Sequence, residues 1–303
     1  MNYQSLLDSI ATEVAPMIGQ GKVADYIPAL ARVPIAQFGI ALRTVDGHTA
    51  AAGDADTPFS IQSVSKVLGL TLGLQAMGPT LWERIGREPS GNAFNSLVQL
   101  ESERGKPRNP FINAGALCVA DRLLSAHAEP ARVFAELGRQ LHGASFVFDE
   151  EVARSERETG YRNAALVNFI KSFKQIDNDV EDVLALYCHQ CSIVATCTQL
   201  AHAFGYLANG GEQPGTGARI VDREQARRIN SVMLTCGTYD AAGEFAFKVG
   251  IPCKSGVGGA IVAVIPGEMV LCAWSPGLDE TGNSVVARRA LELFVTRTGL
   301  SVF

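Results

Sequence analysis

Two short stretches decide the fold: Ser63-Val64-Ser65-Lys66 and, near the other end of the chain, Lys254-Ser255-Gly256. A serine three residues before a lysine, at the start of a helix, places both side chains on one face of that helix. The lysine can then take the proton of the serine hydroxyl. The second stretch runs directly into the apolar segment 257–264, which predicts a strand edge. Together they predict a nucleophilic serine where a helix meets a sheet.

The order S-x-x-K followed much later by K-[ST]-G is the signature of the active-site-serine enzymes that include the penicillin-recognising proteins. Each motif occurs once in this chain. The tetrad alone is weak evidence, because a chain of this length often contains one by chance. Ser63 would then merely cap a helix beside a solvated Lys66. The ordered pair of motifs favours catalysis.

The composition argues against several classes of function. The chain has 303 residues, of which 47% are apolar and 19% charged, as in an ordinary globular protein. The net charge of -5 and the lack of a Lys/Arg cluster argue against a nucleic-acid partner. No apolar stretch is long enough to span a membrane. The N-terminus lacks the basic segment of a signal peptide, so we expect a cytoplasmic protein.

The seven cysteines and five histidines predict no metal site. Cys188-His189-Gln190-Cys191 has C-x-x-C spacing, but a zinc site needs a second ligand pair and none has suitable spacing. The odd number of cysteines and their apolar surroundings indicate buried free thiols. The histidines lie in no triad-like setting, and we interpret them as structural.

The pattern along the chain predicts an α+β fold in which strands from both chain ends form one antiparallel sheet flanked by helices. Apolar spacing predicts a helix over 3–19. An Asp46-Gly47 turn joins strands at 37–44 and 48–53. Further strands are expected at 248–253, 258–265 and 268–275, with a final helix from about 283. Between these ends the pattern is mostly helical.

We therefore predict a single catalytic domain, 1–303, built of two interlocked lobes. Residues 1–60 and 248–303 form a lobe of sheet and helix, and about 61–247 form an inserted, mainly helical lobe. The helix that carries Ser63 and Lys66 is expected to end near Gly78-Pro79. The site should lie between the lobes, where clefts usually form.

A serine hydroxyl is a poor nucleophile until a neighbour removes its proton. Lys66 can do so only if its pKa falls well below that of a free lysine, and burial and a nearby cation such as Lys254 both lower it. A tyrosinate held by the lysines is an alternative base. The tetrahedral intermediate also needs two N–H donors. The candidates are the amides of Ser63 and of Val257, which follows flexible Gly256.

Many stretches in register make the chain resemble the serine-dependent glutaminases, which have a β-lactamase/transpeptidase-like fold. The resemblance covers essentially the whole chain. It rests on residues 26–28, 59–66, 88–91, 109–116, 155–158, 191–193, 209–211, 236–240, 254–257, 274–276 and 282–284, together with Tyr187. It implies hydrolysis of L-glutamine to L-glutamate and ammonia without a cofactor, by a homodimer or homotetramer.

The resemblance also implies roles for individual residues. The nucleophile is Ser63, its partner is Lys66, and Tyr239 is the candidate proton shuttle. Lys254 and Gly256 support the site. The substrate-contacting residues are Tyr26, Ser63, Asn113, Glu156, Asn163, Tyr187, Tyr239 and the backbone of Val257. Chemistry agrees, because a carboxylate suits the substrate's ammonium and amide or phenol donors suit its carboxylate. Taken one at a time, such residues are more often surface charges, caps or core tyrosines.

Two alternatives remain open at this point. A penicillin-recognising hydrolase shares both motifs, and Tyr161-Arg162-Asn163 fits its Y-x-N motif by letters, although the resemblance to the glutaminases uses only Asn163. Such an enzyme should be exported, and the chain shows no export signal. A non-catalytic amino-acid-binding domain is the other alternative, which the intact Ser63 and Lys66 pair disfavours.

Overall fold

The computed structural model describes all 303 residues and has an α+β architecture. The helices are α1 Tyr3–Val14, α2 Ser65–Met77, α3 Leu81–Arg84, α4 Val98–Ser102, α5 Asn113–Ala126, α6 Pro130–His142, α7 Glu150–Thr159, α8 Tyr161–Ser172, α9 Val180–Cys191, α10 Cys197–Ala203, α11 Gly205–Ala208, α12 Arg223–Cys236, α13 Ala242–Lys248 and α14 Val285–Thr298. None of them combines the length and the apolar character that crossing a membrane requires. Short 3₁₀ segments include Gln62–Val64, just before α2, and Tyr239–Ala241, just before α13.

The strands form two sheets. They are β1 Gly39–Thr44, β2 Thr49–Gly53, β3 Phe59–Ser60, β4 Val147–Phe148, β5 Ile193–Ala195, β6 Cys253–Ser255, β7 Ala260–Ile265 and β8 Met269–Trp274. The main sheet has the order β2-β1-β8-β7-β6, with every neighbouring pair antiparallel. Gly39 of β1 pairs with Trp274 of β8, so the two ends of the chain meet in the middle of this sheet. The smaller sheet has the order β3-β5-β4.

Both faces of the main sheet are covered, and the side chains alternate accordingly. On β7, Ile261, Ala263 and Ile265 join a core with α1 and α14. Val262 and Val264 point to the other side and join the larger core among the helices. Because β6, β7 and β8 are buried on both faces, their edge toward the helices is a rigid place for catalytic groups.

The sheet built from both chain ends and the Asp46-Gly47 hairpin are confirmed, and the division into two lobes stays a prediction. The predicted strand at 248–253 is wrong, because α13 continues to Lys248 and β6 begins only at Cys253. Between them, Val249 and Ile251 are buried in irregular backbone that Gly250 permits with a φ of 65°. The predicted first helix stops at Val14 and continues as a 3₁₀ turn that contains Pro16. The smaller sheet was not predicted, since strands of two or three residues carry no periodicity.

Candidate active site

The nucleophile segment is a tight turn between β3 and α2. Ser63 is buried in the 3₁₀ segment, and the preceding Gln62 has a φ of 50°, which is unusual for a residue other than glycine. β6 ends directly against this turn. A Cβ atom at Gly256 would lie 2.6 Å from the Ile61 carbonyl oxygen and 3.1 Å from the Ser63 nitrogen. Only glycine allows the end of this strand to approach the nucleophile so closely.

Lys66 lies one helical turn beyond Ser63 and is fully buried. Its Nζ donates to the Asn113 Oδ1 at 2.6 Å and to the Phe111 carbonyl at 3.2 Å. Burial lowers the pKa of Lys66 to about 8, while Cys191 and Glu156 act in the opposite direction. At a pKa of about 8, part of the Lys66 population is neutral at physiological pH, and this neutral form can accept a proton.

Lys254 is the second fully buried lysine, and it is held differently. Its Nζ donates to the backbone carbonyls of Gly237 and Ser255 and lies 4.4 Å from the centre of the Tyr239 ring. Burial, reinforced by the charge of Lys66, lowers the pKa of Lys254 well below its usual value. The sequence suggested that burial and a nearby cation such as Lys254 both lower the pKa of Lys66. Burial does lower the pKa of Lys66, whereas the effect between the two lysines falls on the pKa of Lys254.

Tyr239 connects the two lysine environments. Its backbone has a φ of 60°, its ring packs on Phe94 with centroids 4.7 Å apart, and its hydroxyl donates to the Ser255 carbonyl. Burial raises the pKa of Tyr239 above its usual value, and a hydrogen bond with Ser63 offsets only part of that rise. The phenol therefore keeps its proton. This speaks against a tyrosinate base and for a hydroxyl that relays protons.

Two backbone amides beside the nucleophile are free to bind an oxyanion. Neither the Ser63 nor the Val257 nitrogen donates a hydrogen bond within the protein. The turn and the end of β6 hold both amides in place, because Gly256 brings the strand against the turn. Unpaired buried donors are rare unless a ligand uses them. This pair fits an oxyanion hole.

A cavity of about 350 Å³ opens in front of Ser63. It brings together most of the substrate-contacting residues predicted from the sequence: Tyr26, Ser63, Asn113, Glu156, Asn163, Tyr187 and Val257. Lys66 and Tyr239 do not line the cavity, but Lys66 donates to its lining residue Asn113, and Tyr239 packs on its lining residue Phe94. A molecule in the cavity would face the nucleophile, while the groups that move protons stay behind the wall.

Glu156 supplies the negative charge of the cavity. It projects from α7 and is only 8% exposed. Burial raises the pKa of Glu156 to about 7, although Lys66 and a hydrogen bond from Gln62 favour its ionised form. A cationic group in the cavity would compensate the buried carboxylate. Glu156 is thus a ready counter-ion for an ammonium.

Neutral amide and phenol groups of the cavity provide hydrogen-bond donors for a carboxylate. The Asn113 Nδ2 donates to the Asn163 Oδ1 at 2.8 Å, which orients the Asn163 Nδ2 away from Asn113 as a free donor. Tyr187 lies beside them, with its ring centre 5.8 Å from the Lys66 Nζ. Tyr26 is half exposed and stands at the mouth of the cavity. These groups can donate to a carboxylate without adding a second charge.

Several cavity residues were missed from the sequence. Gln62 lines the cavity together with Glu156 and donates to the Ser60 Oγ. In the sequence, only its position next to Ser63 indicated that Gln62 could belong to the site. Phe94 belongs to a long irregular segment without periodicity, so its packing on Tyr239 gave no signal. Tyr161, dismissed as a match by letters, also lines the cavity, and it is 81% exposed.

Comparison with known proteins gives one consistent result. The family model described as Glutaminase matches residues 21–303. A glutaminase of Rhizobium meliloti (strain 1021) is 54% identical over 306 residues, covering 100% of this chain and 97% of that protein. A thermolabile glutaminase of Rhizobium etli is also 54% identical, covering 100% of this chain and 99% of its own length.

Solved structures agree with the sequence relatives. The crystal structure of a probable glutaminase from Bacillus subtilis superimposes with a TM-score of 0.93 at 33% identity, covering 100% of this chain and 98% of that one. A structure described as the probable glutaminase of B. subtilis complexed with 6-diazo-5-oxo-L-norleucine gives a TM-score of 0.91 at 33% identity, with the same coverage. The fold is therefore the serine β-lactamase-like fold that these neighbours share.

Proposed function

The chain belongs to the glutaminase family, and from this we propose that it hydrolyses L-glutamine to L-glutamate and ammonia through an ester on Ser63. One observation carries the mechanism: Ser63 lies beside two free backbone amides and one helical turn before a buried lysine whose pKa is about 8. The alternatives of a penicillin-recognising hydrolase and of a binding domain find no support among the relatives.

In the first half of the reaction, neutral Lys66 accepts the proton of the Ser63 hydroxyl as the Oγ attacks the side-chain carbonyl carbon of glutamine. The carbonyl oxygen becomes an oxyanion and accepts hydrogen bonds from the amides of Ser63 and Val257. Collapse of the intermediate breaks the C–N bond. The leaving nitrogen receives the proton from Lys66, directly or through the Tyr239 hydroxyl, and departs as ammonia.

In the second half, a water molecule takes the place of ammonia. Lys66 is neutral again and accepts a proton from this water as its oxygen attacks the ester carbonyl carbon. The same two amides bind the second oxyanion. The bond to the Ser63 Oγ then breaks, the Oγ regains a proton from Lys66, and glutamate leaves. Both protons are exchanged at Lys66, so the cycle needs no cofactor.

Recognition uses the three polar ends of glutamine. Glu156 pairs with the ammonium, and this pairing keeps Glu156 ionised although its pKa in the free enzyme is about 7. The Asn163 Nδ2 and the hydroxyls of Tyr187 and Tyr26 donate to the carboxylate. Asn113 contacts both a substrate-binding group and the base, since it orients Asn163 and accepts a hydrogen bond from Lys66. Binding of the substrate is thereby tied to the position of the base.

We further propose a cytoplasmic homodimer or homotetramer. All seven cysteines are free and buried, which suits a reducing compartment. The oligomer itself is proposed from the resemblance to the serine-dependent glutaminases. Light scattering coupled to size-exclusion chromatography measures the oligomer directly, and a monomeric mass at micromolar concentration would refute this part of the proposal.

The covalent step is tested with 6-diazo-5-oxo-L-norleucine, the compound bound in the B. subtilis structure. Peptide mass spectrometry of the treated enzyme should place one adduct on Ser63. The Ser63→Ala variant should take up no label and release no ammonia from glutamine, while Ser65→Ala serves as the matched control and should keep both properties. Label on a cysteine, or a fully active Ser63→Ala enzyme, would overturn the assignment of the nucleophile.

A further inference from the structure

A second cavity, of about 480 Å³, lies apart from the one in front of Ser63 and shares no lining residue with it. One wall is a single face of α12, on which lining residues recur at three- and four-residue steps from Arg223 to Leu234. The other walls are the end of α11, the turn at Pro266 between β7 and β8, Pro252, and Val302 in the C-terminal segment. The cavity thus joins five separate parts of the chain.

The charge of this cavity is positive. Arg223 and Arg227 stand one helical turn apart, and both are exposed. The ion pairs in this part of the chain join Arg219 to Glu212 and Arg228 to Glu224, so both cavity arginines keep their donors free. None of the fourteen lining residues is acidic. Two free guanidinium groups on one face suit an anion, since each presents parallel N–H donors.

A buried polar atom in the wall indicates a second requirement. Asn230 is only 6% exposed, and its Nδ2 donates to the Leu207 carbonyl at 2.9 Å. Its Oδ1 has no hydrogen-bond partner. Buried acceptors are nearly always paired, so this oxygen lacks a donor. Around it the wall is apolar, formed by Leu207, Ala226 and Pro252.

We propose that this cavity is a second ligand site, for a small molecule that carries a carboxylate or phosphate and a hydroxyl or ammonium donor on a short apolar body. The anion binds Arg223 and Arg227, and the body lies on Leu207 and Pro252. The Asn230 Oδ1 is covered in the free protein, so the donor reaches it when this side chain turns toward the cavity. Such a ligand would satisfy each feature of the wall that the protein leaves unpaired.

The position of the site ties it to catalysis. α12, which carries both arginines, ends at Cys236, and the next residue is Gly237, whose carbonyl accepts from the Lys254 Nζ at 3.0 Å. Tyr239 follows two residues later. Pro252 immediately precedes β6, which carries Lys254. A ligand between α12 and Pro252 therefore contacts both segments that position Tyr239 and Lys254, and its binding is expected to change turnover.

Calorimetry with three probes tests the site. The first is 2-hydroxy-4-methylpentanoate, which has the anion, the donor and the apolar body. The second is 4-methyl-2-pentanol, which lacks the charge, and the third is inorganic phosphate, which lacks the body. We expect saturable binding of the acid to the intact enzyme, weaker binding of phosphate and none of the alcohol. Absence of saturable binding by both anions overturns the site, and equal affinity for them overturns the role of the apolar wall.

Three variants locate the binding. The double variant Arg223→Gln/Arg227→Gln should lower the affinity for 2-hydroxy-4-methylpentanoate at least about tenfold, because each lost charge-assisted hydrogen bond is worth about that factor. Ser231→Trp should fill the cavity and remove binding without changing a charge. Arg228→Gln is the matched control, since this exposed residue on the same helix pairs with Glu224, and it should bind normally. Unchanged affinity in the double variant would place the acid elsewhere.

Steady-state kinetics test whether binding at the second cavity changes turnover. Saturating acid should change kcat/KM for glutamine by about fivefold or more in the wild type and in Arg228→Gln, and not in the double variant. Glutamate in the active site should change the affinity for the acid by the same factor by which the acid changes the affinity for glutamate, because coupling between two binding equilibria is reciprocal. Saturable binding without any change in kcat/KM would disprove the link, whatever role Ser63 plays.

Discussion

The helices and the sheet contribute different things to the same active site. From the helices come the proposed base Lys66, the carboxylate of Glu156 and the amides of Asn113 and Asn163, with side-chain hydrogen bonds from Lys66 to Asn113 and from Asn113 to Asn163. From the sheet side come a free backbone amide at Val257 and a lysine, Lys254, bonded to backbone carbonyls. The helical side can therefore change its charge and contacts during a reaction, whereas the sheet side holds atoms still.

The two buried lysines express this difference most clearly. Lys66 lies near Glu156 and Cys191, which favour its charged form and keep its pKa near 8. For Lys254, burial and the charge of Lys66 lower the pKa well below its usual value, and only Cys191 opposes them. A lysine with a pKa near 8 can exchange protons near neutral pH, whereas we expect Lys254, which donates to two backbone carbonyls, to orient its neighbours. Each of the following predictions tests that division.

Replacing the base should have the largest effect. Lys66→Ala is expected to lower kcat about 100- to 10,000-fold, the usual cost of losing a general base, with little change in KM. Steady-state ammonia release measures both constants, and a melting curve checks that the variant is folded. Near-normal turnover would contradict the division and would move the search for the base to the sheet side.

Lys254→Met keeps the length of the side chain and removes its hydrogen bonds. The carbonyls of Gly237 and Ser255 still have other donors, the Ser255 amide and the Tyr239 hydroxyl, so the fold should survive. We expect kcat to fall about 100-fold, because small displacements of Tyr239 misalign the reacting groups. The pH dependence of kcat should keep its wild-type shape. A loss of its rising limb would show that Lys254 itself titrates.

Glu156→Gln tests recognition on the helical side. The substrate ammonium keeps its charge throughout the reaction, so its partner should act mainly on KM. Loss of a charged hydrogen bond of about 1.5–3 kcal/mol predicts a rise in KM of about ten- to 100-fold. The preference for glutamine over its des-amino analogue glutaramate should fall by the same factor as KM rises. Glu158→Gln, exposed on the same helix, is the control. An unchanged KM would mean that Glu156 does not bind the ammonium.

The pH dependence of kcat should show the smallest and most specific effect. Because Lys66 must be neutral to accept a proton, kcat should rise with pH through about 8 and level off above it. The negative charge of Glu156 favours the charged lysine. Glu156→Gln should therefore move the rising limb to lower pH. A limb that moved to higher pH would show that the group it reports is not Lys66.

The sequence was sufficient where a local pattern carried the information. The spacing of Ser63 and Lys66 on one helix face, the Asp46-Gly47 hairpin and the strand after Gly256 all follow from neighbours along the chain. The residues of the cavity also followed, but through the resemblance rather than through physics. A lone glutamate or asparagine carries no sign of what it will face in the fold.

The rest depended on contacts between distant segments. The hydrogen bond from Lys66 to Asn113 spans 47 residues, and it decides where the base points. The left-handed backbone at Gln62 is set by the packing of β6 against the nucleophile turn, which no local propensity favours. The second cavity combines five segments without a motif in any of them. Pattern reading identifies elements, and tertiary packing decides what lies between them.

The seven buried thiols can report on local opening of the structure around them. Cys191 lies beside Lys66 and Glu156, while Cys253 starts the strand that carries Lys254. Burial raises the pKa of Cys191 to about 12, so it reacts with a thiol reagent only when the structure around it opens. The labelling rate of each cysteine therefore measures a local opening free energy. Comparing the labelling rates of Cys191 and Cys253, without any engineered cysteine, would measure the opening of the helical and sheet sides of the site separately.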